Sequence, residues 1–278
     1  MNKKLKIMDL EWVDVYEEVK PWLFYRICNA DANRELLESV FHINYLDMAI
    51  TFHFCINADE GLSTFVTNKM LAKWNVSKRQ FLEDAFANAP NIMKPEIKKL
   101  DSALIGITPR KNFDSGMLVV TNTNSFKGAS ALFYEGVMME ISEKLGGDYY
   151  VMPSSVHEMI CLSANSDSSV SELEKLVKSV NDSIVSEEDR LSDHVYRYDS
   201  KNEELVFARD YEISQFVKQM REARRSKPNL SAGDPGMDHS DLEGCIGAFV
   251  ANMFRDLSLM EQFAMEDQIL RRIEIGIC

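Results

Sequence analysis

Apolar positions along this chain recur at two periods, and the switches between them mark out its elements. Val15, Val19, Trp22, Leu23 and Ile27 fall at mostly helical steps, which predicts a helix over residues 11–28 that Pro21 bends or interrupts. A short helix is expected at residues 33–40. Residues 49–56 and 62–67 are β-rich runs on either side of the turn-rich Asn57-Ala58-Asp59-Glu60-Gly61, so they read as a hairpin. Residues 68–74 and 78–89 then read as two helices, with Ser77 capping the second and Pro90 standing beyond its end.

The next third repeats this rhythm. A strand is expected at residues 117–121, followed by an amphipathic stretch over 129–145 that Gly146-Gly147 closes. Residues 148–152 and 156–162 read as strands around a Pro153-Ser154-Ser155 turn, and 170–184 as a helix after a serine-rich cap. A last hairpin spans 195–207 with its turn at Asp199-Ser200-Lys201-Asn202. Helical periodicity returns at 211–226, a linker with Pro228, Gly233, Pro235 and Gly236 follows, and 242–273 forms one long apolar-periodic segment. The fold class is therefore α+β: antiparallel hairpins packed with helices, then a C-terminal helical segment. We divide it into an α+β domain over 1–210, a basic helix and linker over 211–240, and an amphipathic helix or helix pair over 241–278.

Four segments carry a family resemblance: Phe65-Val66-Thr67-Asn68, Val119-Val120-Thr121-Asn122, Tyr149-Tyr150-Val151-Met152-Pro153-Ser154-Ser155-Val156-His157-Glu158 and Leu191-Ser192-Asp193-His194-Val195-Tyr196-Arg197-Tyr198-Asp199. Over residues 11–208 the chain resembles an uncharacterised domain-of-unknown-function family of Gram-positive gut bacteria, most specifically in its Pro-Ser-Ser-x-His-Glu block. The resemblance implies no established activity. It also implies relatives with a longer N-terminal segment, no counterpart to the region after Tyr211, and Tyr-Pro-Gly where this chain has Tyr134-Glu135-Gly136.

Composition narrows the function classes. Of 278 residues, 44 are acidic and 31 basic, a net charge of −13 that opposes general attraction to nucleic acid or anionic lipid. No apolar run approaches the roughly 20 residues of a membrane span, and acidic residues follow the basic start where a signal peptide would turn apolar. Cys28, Cys55, Cys161, Cys245 and Cys278 are odd in number, far apart and without a CxxC pair, as expected in the reducing cytoplasm.

Candidate chemistry is sparse. Ser154, Ser155, His157 and Glu158 place hydroxyls, an imidazole and a carboxylate together, the residue types of acid–base or nucleophilic catalysis. On a strand, however, His157 and Glu158 point to opposite faces, and Cys161 stands where a helical zinc-protease motif needs its second histidine. No phosphate-binding glycine loop occurs, and His42, His53, His194 and His239 show no ligand spacing, so neither cofactor nor metal is expected. Lys218, Arg221, Arg224, Arg225 and Lys227 form a basic cluster suited to a helix C-terminus, with an acidic-partner or nucleic-acid contact as the alternative. Leu242, Ile246, Phe249, Met253, Leu257 and Met260 share one helical face, expected to dock on the main domain or in a homo-oligomer. The leading reading is a non-catalytic cytoplasmic protein-interaction or regulatory protein with a protein partner. A hydrolase-like enzyme centred on the serine–histidine block and an acidic inhibitor of a nucleic-acid-binding machine remain the alternatives.

Overall fold

The computed structural model describes residues 11–57, 62–100 and 117–225. These form two compact units, one running to Ser168 and again from Leu173 to Phe207, the other comprising, among the described residues, Ser169–Glu172 and Ala208–Arg225.

The first unit is α+β, with two antiparallel sheets. In the smaller, β1 (Leu23–Asn29) pairs with the long β3 (Met48–Asn57), whose other edge is shared by β2 (His42–Tyr45) and β4 (Leu62–Phe65). The larger sheet runs β10 (Glu204–Phe207), β9 (Tyr196–Asp199), β7 (Tyr149–Ser155), β8 (Glu158–Ser163), β6 (Met117–Asn122), β5 (Pro95–Lys99). Every residue of β6 is buried, so both faces of that sheet are covered along this strand.

The expected helix over 11–28 is corrected. Glu11–Asp14 and Lys20–Trp22 are single 3-10 turns, α1 spans only Tyr16–Val19, and the chain is extended from Leu23. Positions 15, 19, 23 and 27 are four apart, a spacing that is also even and so equally fits one face of a strand. Pro21 breaks the helix, and the β1–β3 pairing of seven residues puts Leu23, Tyr25 and Ile27 on the core face opposite Phe54, Phe52 and Ile50.

Helices cover that core. In α4 (Lys78–Ile92) Phe81, Ala85 and Ala89 are fully buried on one stripe, and the two alanines let the helix approach the sheet closely. Phe81 meets Phe52, Phe41 and Trp74 with ring centroids 5.3, 5.4 and 6.3 Å apart, the last from α3 (Asn68–Trp74). Ser77 and Thr67 cap the two helices, accepting from the Gln80 and Met70 amides. Pro90 lies inside α4 rather than beyond it. The last turn is held by Met93 N–H to the Ala89 carbonyl at 2.8 Å and by Asn88 Nδ2 to the Lys20 carbonyl at 2.6 Å.

Two further expectations are redrawn. The stretch over 129–145 divides into a 3-10 turn, Ala129–Phe133, and α5 (Val137–Leu145), because Gly136 takes φ +79° between them. Pro153 and the two serines belong to β7, and the turn is Val156-His157. Pro153 is tolerated there because β9 pairs with β7 only at Tyr149, Tyr150 and Val151, so no ladder partner on that side needs its missing N–H.

The remaining described helices are α2 (Arg34–Ser39), α6 (Val170–Ser183) and α7 (Ala208–Arg225). Ser169 and Glu172 form a reciprocal capping box at the start of α6. The two sheets are tied by Asp47, in the β2–β3 turn, whose carboxylate accepts from Ser192 Oγ and the Tyr196 hydroxyl at 2.6 Å each. No described helix is long and apolar enough to cross a membrane.

Candidate functional site

The serine–histidine block forms the tip of the β7–β8 hairpin, and the bonds of that tip are mostly with neighbouring backbone. The Lys127 N–H donates to His157 Nδ1 at 3.0 Å, which leaves the ring proton on Nε2, 3.3 Å from Asp189 Oδ1. The His157 carbonyl accepts from the Gly128 N–H at 3.0 Å and Thr121 Oγ1 at 2.8 Å. Val156 extends the joint in both directions, donating to the Asp189 carbonyl at 2.8 Å and accepting from the Ala129 N–H at 3.2 Å. Phe126 packs its ring 5.3 Å from the imidazole.

This loop is shaped by Asn122, fully buried at the end of β6. Its Oδ1 accepts from the Asn124 and Phe126 amides, and its Nδ2 donates to the Phe126 carbonyl at 2.9 Å. Gly128 is needed here for space: a Cβ would lie 2.4 Å from Thr121 Oγ1 and 2.5 Å from the Asn122 nitrogen.

The structure thus brings Ser154, Ser155, His157 and Glu158 into one hairpin but directs them to separate tasks. Ser155 Oγ accepts from the His157 backbone N–H at 3.1 Å, and Ser154 Oγ donates to Glu158 Oε1 at 3.2 Å. Neither hydroxyl bonds the imidazole, whose two nitrogens already face Lys127 and Asp189.

Among the other sequence candidates, Lys218 and Arg221 are exposed on α7, and Arg224 and Arg225 complete the same helix. Lys227 and His239 lie outside the described residues, as do Leu242, Ile246, Phe249, Met253, Leu257 and Met260. His42 Nδ1 bonds the Val40 carbonyl at 3.1 Å, and His194 packs on Phe207. Burial, with Arg26 and Lys127 nearby, holds the His53 imidazole well below its ordinary pKa. Among the described residues no group of three or more histidine, cysteine or acidic side chains is placed to hold a metal.

A second site is one the sequence reading did not find. Trp12, Glu17, Glu18, Pro21, Trp22, Cys55 and Ile56 line an open groove of about 430 Å³. It exists because residues 11–22 form successive short turns instead of a helix. Trp74 Nε1 donates to the Val13 carbonyl at 2.8 Å, Lys73 meets Asp14 at 2.7 Å, and Asp84 receives both the Tyr16 hydroxyl and Lys20. Desolvation raises the Asp84 pKa, but hydrogen bonds from Tyr16, Lys20 and Gln80 outweigh it and leave the carboxyl below its ordinary value. The strap turns Trp12 edge-on against Phe54, centroids 5.8 Å apart, and leaves Trp22 45% exposed. Glu17 and Glu18 stand exposed at the groove with no hydrogen bond or salt bridge to the described residues.

Two antiparallel sheets covered by helices, with a clasped hairpin tip and a tryptophan-walled groove, define the protein as an α+β domain. Residues 1–200 match the profile of a family of unknown function (DUF5688), and the chain belongs to that family. No curated protein and no solved structure matches it.

Proposed function

We propose that the chain is a non-catalytic protein-interaction protein of the cytoplasm that receives a basic segment of a protein partner in the groove at Trp12 and Trp22. The observation that carries this reading is the groove itself: an indole nearly half exposed, a second indole beside it, and two carboxylates at its margin that form no salt bridge among the described residues. Exposed tryptophan is costly to hydrate and is the best ring for receiving a cation. Lysine or arginine side chains combine an apolar stem with a charged head, which suits an aromatic wall with Glu17 and Glu18 at the rim. The free thiols Cys28, Cys55 and Cys161 accord with a reducing compartment. The hairpin geometry supports the non-catalytic part, because both His157 ring nitrogens are engaged and, among the described residues, no hydroxyl bonds either.

Titration of intrinsic tryptophan fluorescence with a lysine-rich peptide, and with an acidic peptide of equal length, tests the proposal. Saturable binding of the basic peptide, lost in Trp22→Ala and in Glu17→Lys/Glu18→Lys, is expected. Equal binding of both peptides, or binding indifferent to these substitutions, would overturn it.

A further inference from the structure

The groove at Trp12 and Trp22 lies beside a basic stretch of the same chain. Trp12 stands at the start of the strap that walls the groove, and the residues before it, 1–10, read Met1-Asn2-Lys3-Lys4-Leu5-Lys6-Ile7-Met8-Asp9-Leu10 and lie outside the described residues. Three lysines fall within four positions there, in a chain whose acidic side chains outnumber its basic ones 44 to 31. Leu5, Ile7 and Met8 stand among and just after them. Cations joined to apolar side chains are what an indole wall rimmed by carboxylates receives.

The strap presents the acidic half of that match. Tyr16 and Val19 are buried, so the single turn of α1 turns Glu17 and Glu18 outward, and both are exposed. The cations packed along the strap are committed to other carboxylates: Lys20 meets Asp84 at 3.0 Å and Lys73 meets Asp14 at 2.7 Å. Among the described residues, then, no cation answers Glu17 or Glu18. The chain enters the groove wall at Trp12, whose ring is fixed edge-on against Phe54. Lys6 is six residues and Lys3 nine residues before Trp12, which at about 3.3–3.6 Å per residue gives reaches of about 20 and 30 Å.

We infer that Lys3, Lys4, Leu5 and Lys6 occupy the groove of their own chain and must be displaced before a basic partner binds. The inference rests on the reading of the groove as a receptor for basic segments, and adds an internal competitor that regulates it. A segment tethered this closely has an effective concentration on the order of millimolar. Even if its free peptide bound at about 0.1 mM, it would fill the groove about nine-tenths of the time and weaken a competing peptide about tenfold.

The test uses the full chain and two readouts. Quenching of tryptophan fluorescence by neutral acrylamide reports access to the groove, because Trp22 is 45% exposed and Trp74 only 8%. Lys3→Gln/Lys4→Gln/Lys6→Gln should raise quenching and tighten binding of the lysine-rich peptide about tenfold. Lys94→Gln/Lys99→Gln/Lys201→Gln removes the same charge at exposed positions elsewhere; it should leave quenching unchanged, and it measures the part of the gain owed to net charge alone. Glu17→Lys/Glu18→Lys should also raise quenching. Combining it with Lys3→Glu/Lys4→Glu/Lys6→Glu should restore the shielding, which a merely structural effect of either change would not. If quenching and peptide affinity are the same in wild type and the first glutamine variant, self-occupancy is wrong while the preference of the groove for basic segments stands. If quenching follows the charge swap but no peptide binds, self-occupancy stands and the partner reading falls. Shielding lost on dilution would put the segment in the groove of a second copy and overturn the inference as well.

Discussion

Replacing Gly128 by alanine measures how firmly the loop after β6 is clamped against the His157 hairpin. The added Cβ would lie 2.4 Å from Thr121 Oγ1, 2.5 Å from the Asn122 nitrogen and 3.0 Å from the His157 carbonyl oxygen. Gly128 has φ −93° and ψ −2°, which alanine adopts readily, so collision is the only objection. Two of the three atoms are backbone and cannot rotate aside. Overpacking of this kind costs about 1–3 kcal/mol. Shifting the loop also breaks or strains the two hydrogen bonds received by the His157 carbonyl, about 1 kcal/mol each. The expected loss is therefore about 3–5 kcal/mol, or roughly 2 M in the urea midpoint at an m-value near 2 kcal/mol/M. Gly146→Ala is the control: its Cβ meets nothing within 4 Å, and the φ of +82° alone penalises alanine, by about 1–2 kcal/mol. Urea unfolding of both variants, followed by far-UV circular dichroism, decides the matter. If Gly128→Ala is as stable as Gly146→Ala or more so, the loop yields freely and the clasp carries little of the stability.

His157→Ala should lower stability by about 1–2 kcal/mol, because the Lys127 amide loses its acceptor and Asp189 its donor, with no turnover to lose in esterase, phosphatase and peptidase screens. Turnover that disappears in this variant at unchanged stability would contradict the structural role. Stability should also fall as pH drops below 6.5, the ordinary histidine value, because His53 in the unfolded chain takes up a proton that the buried imidazole refuses. The slope approaches about 1.4 kcal/mol per pH unit for one such group. Comparing unfolding between pH 5 and 7 in wild type and His53→Phe should show a shallower dependence in the variant, and parallel curves would refute the assignment.

Much of the fold was legible because local signals agreed with tertiary pairing. The β3–β4 and β9–β10 hairpins followed from runs around turn residues, and α3, α4 and α6 from helical patterning, the last two with capping serines. The β1 strand was hidden by arithmetic, since a step of four satisfies both periods and only the partner strand decides between them. Two further strands were missed. His42–Tyr45 is too short to show a period, and Pro95–Lys99 has the proline and lysines of an edge strand, a composition that protects against further pairing rather than announcing a strand.

Sites were less legible than elements, because they are assembled across the chain. In the serine–histidine block a short spacing was visible, but the Lys127 and Gly128 amides that occupy His157 come from another loop. The groove likewise joins Trp12 and Trp22 to Cys55 and Ile56 of β3, positions far apart in sequence.

Binding at the groove should weaken with salt, and the reason lies in where the charges sit. A net charge of −13 attracts a basic peptide and repels an anion at distances beyond contact. Raising ionic strength from about 10 to 100 mM shortens the Debye length from roughly 30 to 10 Å and removes most of that long-range field. At the groove, Glu17 and Glu18 are exposed, so the contact itself is screened together with the attraction, and peptide affinity should fall several-fold. Calorimetric titration of the basic peptide at the two salt concentrations, with ligand kept well below the added salt, gives the slope. A peptide affinity indifferent to salt would mean that the exposed carboxylates Glu17 and Glu18 take no part in holding it, and the charge argument for the groove would fail.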